Sequence, residues 1–281
     1  MKTPKRILPL IEDGLVDEVL RPLMSGKEAT VYLVRCGDEI RCAKVYKDVA
    51  TRSFKQAVQY QEGRKVRNSR RQRAMEKGTR FGREQQEKEW HNAEVDALYK
   101  LRDAGVRVPE PFGCFDGVLL MELITDGDGE VAPRLNDVQI PVERAAQDHA
   151  TMMQYVLRML CVGLVHGDLS EFNVLMTEDG PVIIDLPQAV DAAGNNHAPT
   201  MLARDVANIT RYYAQYVPEL AQTRYAEELW ALHEAGALHP DMQLTGKFIV
   251  EEHDIDVGSV LQQIDEAYRE EMERRERMAE D

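Results

Sequence analysis

The chain has 281 residues, 43% of them apolar and 30% charged, enough for one large domain or two lobes sharing a cleft. That composition excludes a disordered or fibrous protein. Its 35 basic and 49 acidic residues leave a net charge of -14, which excludes a generally basic nucleic-acid coat but not a local basic patch.

The N-terminus, MKTPKRILPLIEDGLVDEV, lacks both a sustained apolar h-region and a small-residue cleavage site. The longest apolar runs, VLLM at 118–121 and MLCVGLV at 159–165, fall short of the roughly 20 residues of a membrane span. A cytoplasmic protein with no membrane partner is expected. Cys36, Cys42, Cys114 and Cys161 form no CxxC pair, so the expectation is buried reduced thiols rather than a zinc site or a disulfide framework.

In chain order, Thr30 to Arg35 and Arg41 to Tyr46 are β-rich runs that predict a hairpin turning at Gly37-Asp38. Residues 64–83 carry nine basic residues and one acidic residue, Glu76. This segment reads as a solvated loop, with contact to RNA or a ribosomal particle as the alternative. Glu84 to Ala104 predicts a helix stopped by Gly105. The run GVLLMELI, 117–124, predicts a strand, and the turn-rich TDGDG after it a hinge near Glu122 to Asp126.

Ala146 to Leu164 places Met153, Val156, Leu157, Leu160, Cys161 and Leu164 on one helical stripe, read as core. Val174 to Met176 and Val182 to Asp185 predict two short strands about a Glu-Asp-Gly turn. The chain after Ala203 reads as mostly helical, with Val260, Ile264, Tyr268 and Met272 on one stripe. Its tail from Glu251 holds twelve acidic and four basic residues. The expected fold is α+β and bilobal, a small β-rich N-terminal lobe (1–124) and a larger α-helical C-terminal lobe (125–281).

Four strings carry chemistry. In HGDLSEFN, 166–173, Asp168 and Asn173 stand five positions apart between a helix and a strand. Phosphoryl transfer needs a carboxylate to orient the attacking hydroxyl and an amide oxygen to hold a metal ion. In PVIID, 181–185, an apolar strand ends on Asp185, where a carboxylate can bridge phosphates through Mg²⁺. In AKV, 43–45, Lys44 interrupts an apolar strand and would hold the α and β phosphates, with Glu89 or Glu94 as its partner. Ser25-Gly26-Lys27-Glu28-Ala29-Thr30-Val31 is a Gly-containing turn whose backbone N–H groups could approach phosphates. Each string has an ordinary alternative, a turn or a solvated strand face. Their joint order predicts a phosphotransferase of protein-kinase-like architecture. On that reading Lys44→Ala should harm ATP geometry more than folding.

The strings SGKEATVYLV, AKVYK, VPEPFG, LLMELI, LVHGDLSEFNVLM, VIIDLPQAV and RDVANI resemble the RIO family of atypical protein kinases in a compact, bacterial-type form, over roughly residues 20 to 215. The resemblance implies a bilobal kinase fold and Ser/Thr phosphorylation of a protein substrate or of the chain itself. It implies ATP with Mg²⁺, or Mn²⁺ in its place. By position it makes Lys44 the phosphate-binding lysine and Glu89 its helix partner. Met121, Glu122 and Ile124 would receive adenine. Asp168 would be the catalytic base, and Asn173 and Asp185 the metal ligands. It also implies that Asp185 can become a phosphoaspartate. The metal loop is Asp185-Leu186-Pro187 rather than Asp-Phe-Gly, and the catalytic triplet is His166-Gly167-Asp168 rather than His-Arg-Asp. The competing functions are a small-molecule kinase of aminoglycoside or choline type, which shares HGDxxxxN, and an ATPase-type ribosome assembly factor. Only 96 residues follow Asp185, little room for the acceptor-binding insertions of a small-molecule kinase.

Overall fold

The structure, a computed structural model, describes residues 3–26, 28–47 and 93–248. Five antiparallel strands form its first part: β1 (Glu18–Ser25), β2 (Ala29–Cys36), β3 (Glu39–Tyr46), β4 (Pro111–Phe115) and β5 (Val118–Glu122), in the order β1-β2-β3-β5-β4. Cys36 pairs with Glu39 in the β2–β3 ladder, leaving Gly37-Asp38 as a two-residue turn, as the sequence predicts. Gly37 has φ +64°, which such a turn favours and glycine adopts without strain. Both sheet edges carry a proline, Pro22 in β1 and Pro111 in β4, where a missing N–H costs no ladder bond to a neighbour.

Side chains alternate across this sheet and so divide two sets of contacts. Ala43, Val34, Val118 and Leu120 pack with Ile7 and Leu10, the latter from the short helix α1 (Leu8–Glu12). Tyr46 and Leu119 face the other way, in one core with Leu98 and Leu101 of helix α2, which occupies 93–103 of the described residues. Lys44 is two positions from Tyr46, so it points to the α2 side. The period of two therefore selects which helix can offer it a partner.

The second part is helical. Helix α3 (Val142–Cys161) buries Met152, Met153, Val156, Leu157 and Leu160. Helix α4 (Ala198–Tyr213) adds Leu202, Val206 and Ile209, and α5 (Tyr225–Glu234) adds Leu229 to the same core. β6 (Leu164–Val165) pairs with β9 (Val190–Asp191), and β7 (Val174–Thr177) with β8 (Gly180–Ile183), as two separate two-stranded sheets. Cys42 is buried as expected, whereas Cys36, Cys114 and Cys161 are only half-buried, and all four are free thiols. The basic segment 64–83, the first half of the predicted helix from Glu84, and the tail stripe at Val260 to Met272 lie outside the described residues.

Candidate functional site

Lys44 Nζ lies 2.6 Å from Glu94 Oε1 and 2.8 Å from Asp185 Oδ1. A strand of the sheet, a helix behind it and a loop of the second part thus meet at one ammonium. Lys44 is 7% exposed and Glu94 2%. The Tyr46 hydroxyl donates to the other oxygen of Glu94, so both carboxylate oxygens are engaged. Burial works against the charged form of Lys44, but the two carboxylates outweigh it and hold the lysine pKa above its usual range. The same ammonium holds the Asp185 carboxyl below the usual carboxylate range, against desolvation. Of the two glutamates offered by the sequence, Glu94 occupies the partner position; Glu89, which the family pattern indicated, lies outside the described residues.

Asp185 has φ +67°, in the left-handed region that a non-glycine residue seldom adopts. Its side chain is 49% exposed despite the lysine contact, so one end of the carboxylate is held and the rest faces solvent. The preceding residue ties this loop to the catalytic strings. Ile184 N donates to Asn173 O at 3.0 Å, and Ile184 O meets His166 Nε2 at 3.1 Å. His166 Nδ1 accepts from Asp168 N at 3.3 Å, which fixes the proton on Nε2. Burial holds the His166 pKa down, consistent with that neutral tautomer.

The loop 166–173 is held from beneath by α4. Asp205, 1% exposed, accepts from Gly167 N at 2.7 Å and from Leu169 N at 2.9 Å. Arg204 donates to Gly167 O and Asn208 Nδ2 to Leu169 O at 3.1 Å. Gly167 has φ +82°, so a side chain there would strain the backbone; this accounts locally for Gly in the triplet. Burial pushes the Asp205 carboxyl up to about 7, opposed by the two N–H bonds and Arg204. Asp168, flanked by these held amides, projects to solvent. Desolvation raises its pKa, Arg204 pulls it back, and the charge of Asp185 adds to the rise.

Asn173 Nδ2 donates to Asp168 O at 2.8 Å. That bond orients the amide and leaves its oxygen as the donor atom. Together with the exposed part of the Asp185 carboxylate it is the oxygen set that a hard cation such as Mg²⁺ prefers.

The remaining sequence candidates fall at the rim. In the β1–β2 turn, Gly26 N donates to Ala29 O at 2.9 Å, and Lys47 donates to Gly26 O at 2.6 Å and Ser25 Oγ at 3.2 Å. The Gly26 amide is therefore engaged within the turn. Glu28 O accepts from Lys47 N, Thr30 Oγ1 meets Ser25 Oγ at 3.1 Å, and Val31 pairs opposite Lys44 in the β2–β3 ladder. Lys27 lies outside the described residues. At the end of β5, the Glu122 carboxylate is taken by Arg107 at 2.7 and 2.8 Å and by Glu110 N at 3.0 Å. Glu122 N is engaged as well, donating to Glu110 O at 2.8 Å. Met121 is half-buried, and Ile124 packs with Ala132 and Val182 instead of with the sheet.

The RIO domain family matches residues 30–226, more than two thirds of the chain. The chain belongs to the RIO family. The RIO-type serine/threonine-protein kinase Rio1 of Haloferax volcanii is 34% identical over 209 residues, covering 74% of this chain and 67% of that relative. The serine/threonine-protein kinase RIO1 of Homo sapiens is 31% identical over 217 residues, covering 76% and 36%. That of Chaetomium thermophilum is 30% identical, covering 74% and 42%. The RIO chain here thus spans two thirds of the haloarchaeal relative and under half of the two eukaryotic ones. Among solved structures, the Rio2 kinase-ADP/Mg²⁺-phosphoaspartate complex of Chaetomium thermophilum superposes with a TM-score of 0.58 at 20% identity, covering 95% of this chain and 81% of that one. A second Rio2 kinase structure from that organism gives 0.54 at 21% identity, covering 88% and 74%. The fold is the bilobal α+β kinase-like one expected.

Two members of this RIO site, Asp205 and Tyr46, have no site role in the sequence reading, where Tyr46 only ends a β-rich run and Asp205 only stands within RDVANI. Asp205 shares a helix face with Leu202 and Ile209, at i-3 and i+4, and a carboxylate on an apolar stripe is the signal that marks it.

Proposed function

We propose that this RIO-family chain is an ATP-dependent serine/threonine protein kinase. The observation that carries it is the bonding of Lys44 to both Glu94 and Asp185, beside the loop of Asp168, whose neighbours Gly167 and Leu169 are held by Asp205 of α4. Lys44 would hold the nucleotide phosphates, and Asn173 and Asp185 the metal ion; bound Mg²⁺ supplies neutralisation of the phosphate charge. Asp168 orients a Ser or Thr hydroxyl and takes its proton as the oxygen attacks the γ-phosphorus, with ADP leaving. The desolvation that raises Asp168 makes it a better proton acceptor. Met121, Glu122 and Ile124 would receive adenine, and the packing of Ile124 with Ala132 and Val182 supports a lobe boundary near residue 124.

A second reading has its own support. One solved relative is described as a phosphoaspartate complex. Here Asp185 is kept ionised by Lys44 while half exposed, as a carboxylate nucleophile must be. Transfer of the γ-phosphate to Asp185, then hydrolysis, would give ATPase behaviour. Acid-stable label on Ser or Thr supports the kinase; label lost in hydroxylamine and mapped to Asp185 supports the ATPase. The protein substrate and any RNA or ribosomal partner of residues 64–83 are separate matters that particle binding at varied salt would test. No helix among the described residues is long and apolar enough to cross a membrane.

A further inference from the structure

Arg134 has no part in the phosphotransfer set described above, yet it stands beside it. Its backbone is fixed. Arg134 forms an antiparallel bridge with Leu175 of β7, two residues beyond Asn173, and the flanking Pro133 O accepts from Met176 N at 2.9 Å. The carbonyl of Arg134 is held by Asp137 N at 2.9 Å. The side chain leaves this anchor and crosses to the other lobe, where its Nη2 lies 2.7 Å from Met24 Sδ, next to the Ser25-Gly26 turn.

Two features of this guanidinium lack an explanation within the protein. Its Nε is buried and has no hydrogen-bond partner. A buried donor left unmade costs free energy, so such atoms are uncommon in folded chains. The partner of its Nη2 is a thioether, a weak acceptor. A guanidinium presents several N–H groups in a planar fork that matches a phosphate, and this one spends its fork on sulfur and on nothing.

We propose that Arg134 binds a phosphate group of the nucleotide. It joins the strand that follows Asn173, to which its backbone is bridged, to the β1–β2 turn, which its guanidinium reaches at Met24. A phosphate oxygen replacing Met24 Sδ would satisfy Nη2, and a second oxygen would satisfy Nε. The premise is nucleotide binding in this cleft, as proposed above.

Equilibrium titration of the full chain tests it, with Mg²⁺-ATP, ADP and adenosine as probes. Arg134→Met keeps length and removes charge and donors; Arg134→Lys keeps the charge without the fork. In Arg134→Met, ATP and ADP affinity should fall about tenfold or more while adenosine affinity stays within about twofold. Arg134→Lys should recover only part of the loss. Because the wild-type Nε is unpartnered, thermal unfolding of Arg134→Met without nucleotide should match the wild type, and the upward shift in melting temperature on adding ADP should shrink. If Arg134→Met does not fold, Arg134→Lys alone decides, since undiminished ADP affinity with the fork gone contradicts bidentate binding. Unchanged ATP affinity in Arg134→Met overturns the proposal alone. An equal loss of adenosine affinity also overturns it, by assigning Arg134 to the shape of the cleft. A wild-type chain that binds adenosine and ATP equally weakly, with or without Mg²⁺, sinks the nucleotide reading itself.

Discussion

Lys44 and Glu94 form a buried ion pair 2.6 Å apart, with side-chain exposures of 9% and 3%. Lys44 has a buried carboxylate partner within the protein, so its loss is expected to bear on folding as well as on ATP geometry. Removing the lysine leaves Glu94 buried, with the Tyr46 hydroxyl as its remaining side-chain partner among the described residues. Lys44→Met should cost about 3–5 kcal/mol of stability, the usual range for breaking one side of a buried pair. Urea unfolding checks this, and Lys44→Met combined with Glu94→Gln should regain part of the loss without regaining activity. A Lys44→Met midpoint equal to the wild type would show that the pair is not structural.

The Asp168 side chain is exposed, and the bonds at 3.3 Å to His166 and 2.8 Å to Asn173 within the loop are made by its backbone. Asp168→Ala should leave folding and ATP affinity close to wild type and lower phosphoryl transfer by about two orders of magnitude or more, the range of general base catalysis. Single-turnover transfer at saturating ATP measures it. Near wild-type transfer would remove Asp168 from the mechanism.

Asp205 supports the catalytic loop from below through two N–H bonds. Asp205→Ala orphans Gly167 and Leu169 amides at about 1–3 kcal/mol each. Amide hydrogen exchange should quicken at Gly167 and Leu169 while the core of α3 stays protected, and transfer should slow. Unchanged exchange at these two amides would mean the loop holds itself.

Two buried groups set opposing pH dependences. His149, 1% exposed and bonded to Thr210 Oγ1 at 3.0 Å, has its pKa lowered to about 4 by burial. Between about pH 4 and 6.5 the unfolded chain binds a proton there that the folded chain does not, so stability rises with pH. Asp205, pushed up to about 7, does the reverse. Between about pH 4 and 7 the folded chain keeps a proton that the unfolded chain has lost, so stability falls as pH rises. Each contributes a slope of up to about 1.4 kcal/mol per pH unit. His149→Gln should therefore leave a net fall with pH across this window, and Asp205→Asn a net rise. Urea midpoints at several pH values check both signs, and two variants with the wild-type slope would contradict them.

Much of this was legible in the residues because turn chemistry and apolar runs are local. Gly37-Asp38 fixed the β2–β3 register, and Asp168, Asn173 and Asp185 stood in a short stretch of chain. Edge strands were not legible. β1 reads EVLRPLMS and β4 reads PFGCF, and their Pro and Gly hide strands that only pairing with a neighbour reveals. The choice between Glu89 and Glu94 was legible in principle. Glu94 shares a helix face with Leu98 and Leu101, at i+4 and i+7, so a carboxylate there continues an apolar stripe. Arg134 had no signal, because its meaning depends on Met24, which lies 110 residues away in the chain and touches it only in the fold.

The measurement that tests the central claim most directly is incubation of the full chain with γ-labelled ATP and Mg²⁺, followed by mapping of the labelled residues, with Asp168→Ala in parallel. Label on Ser or Thr of this chain or of an added protein, lost in Asp168→Ala, is the predicted result. No protein label from the wild type, together with rapid phosphorylation of an amino alcohol or an aminoglycoside, would contradict it.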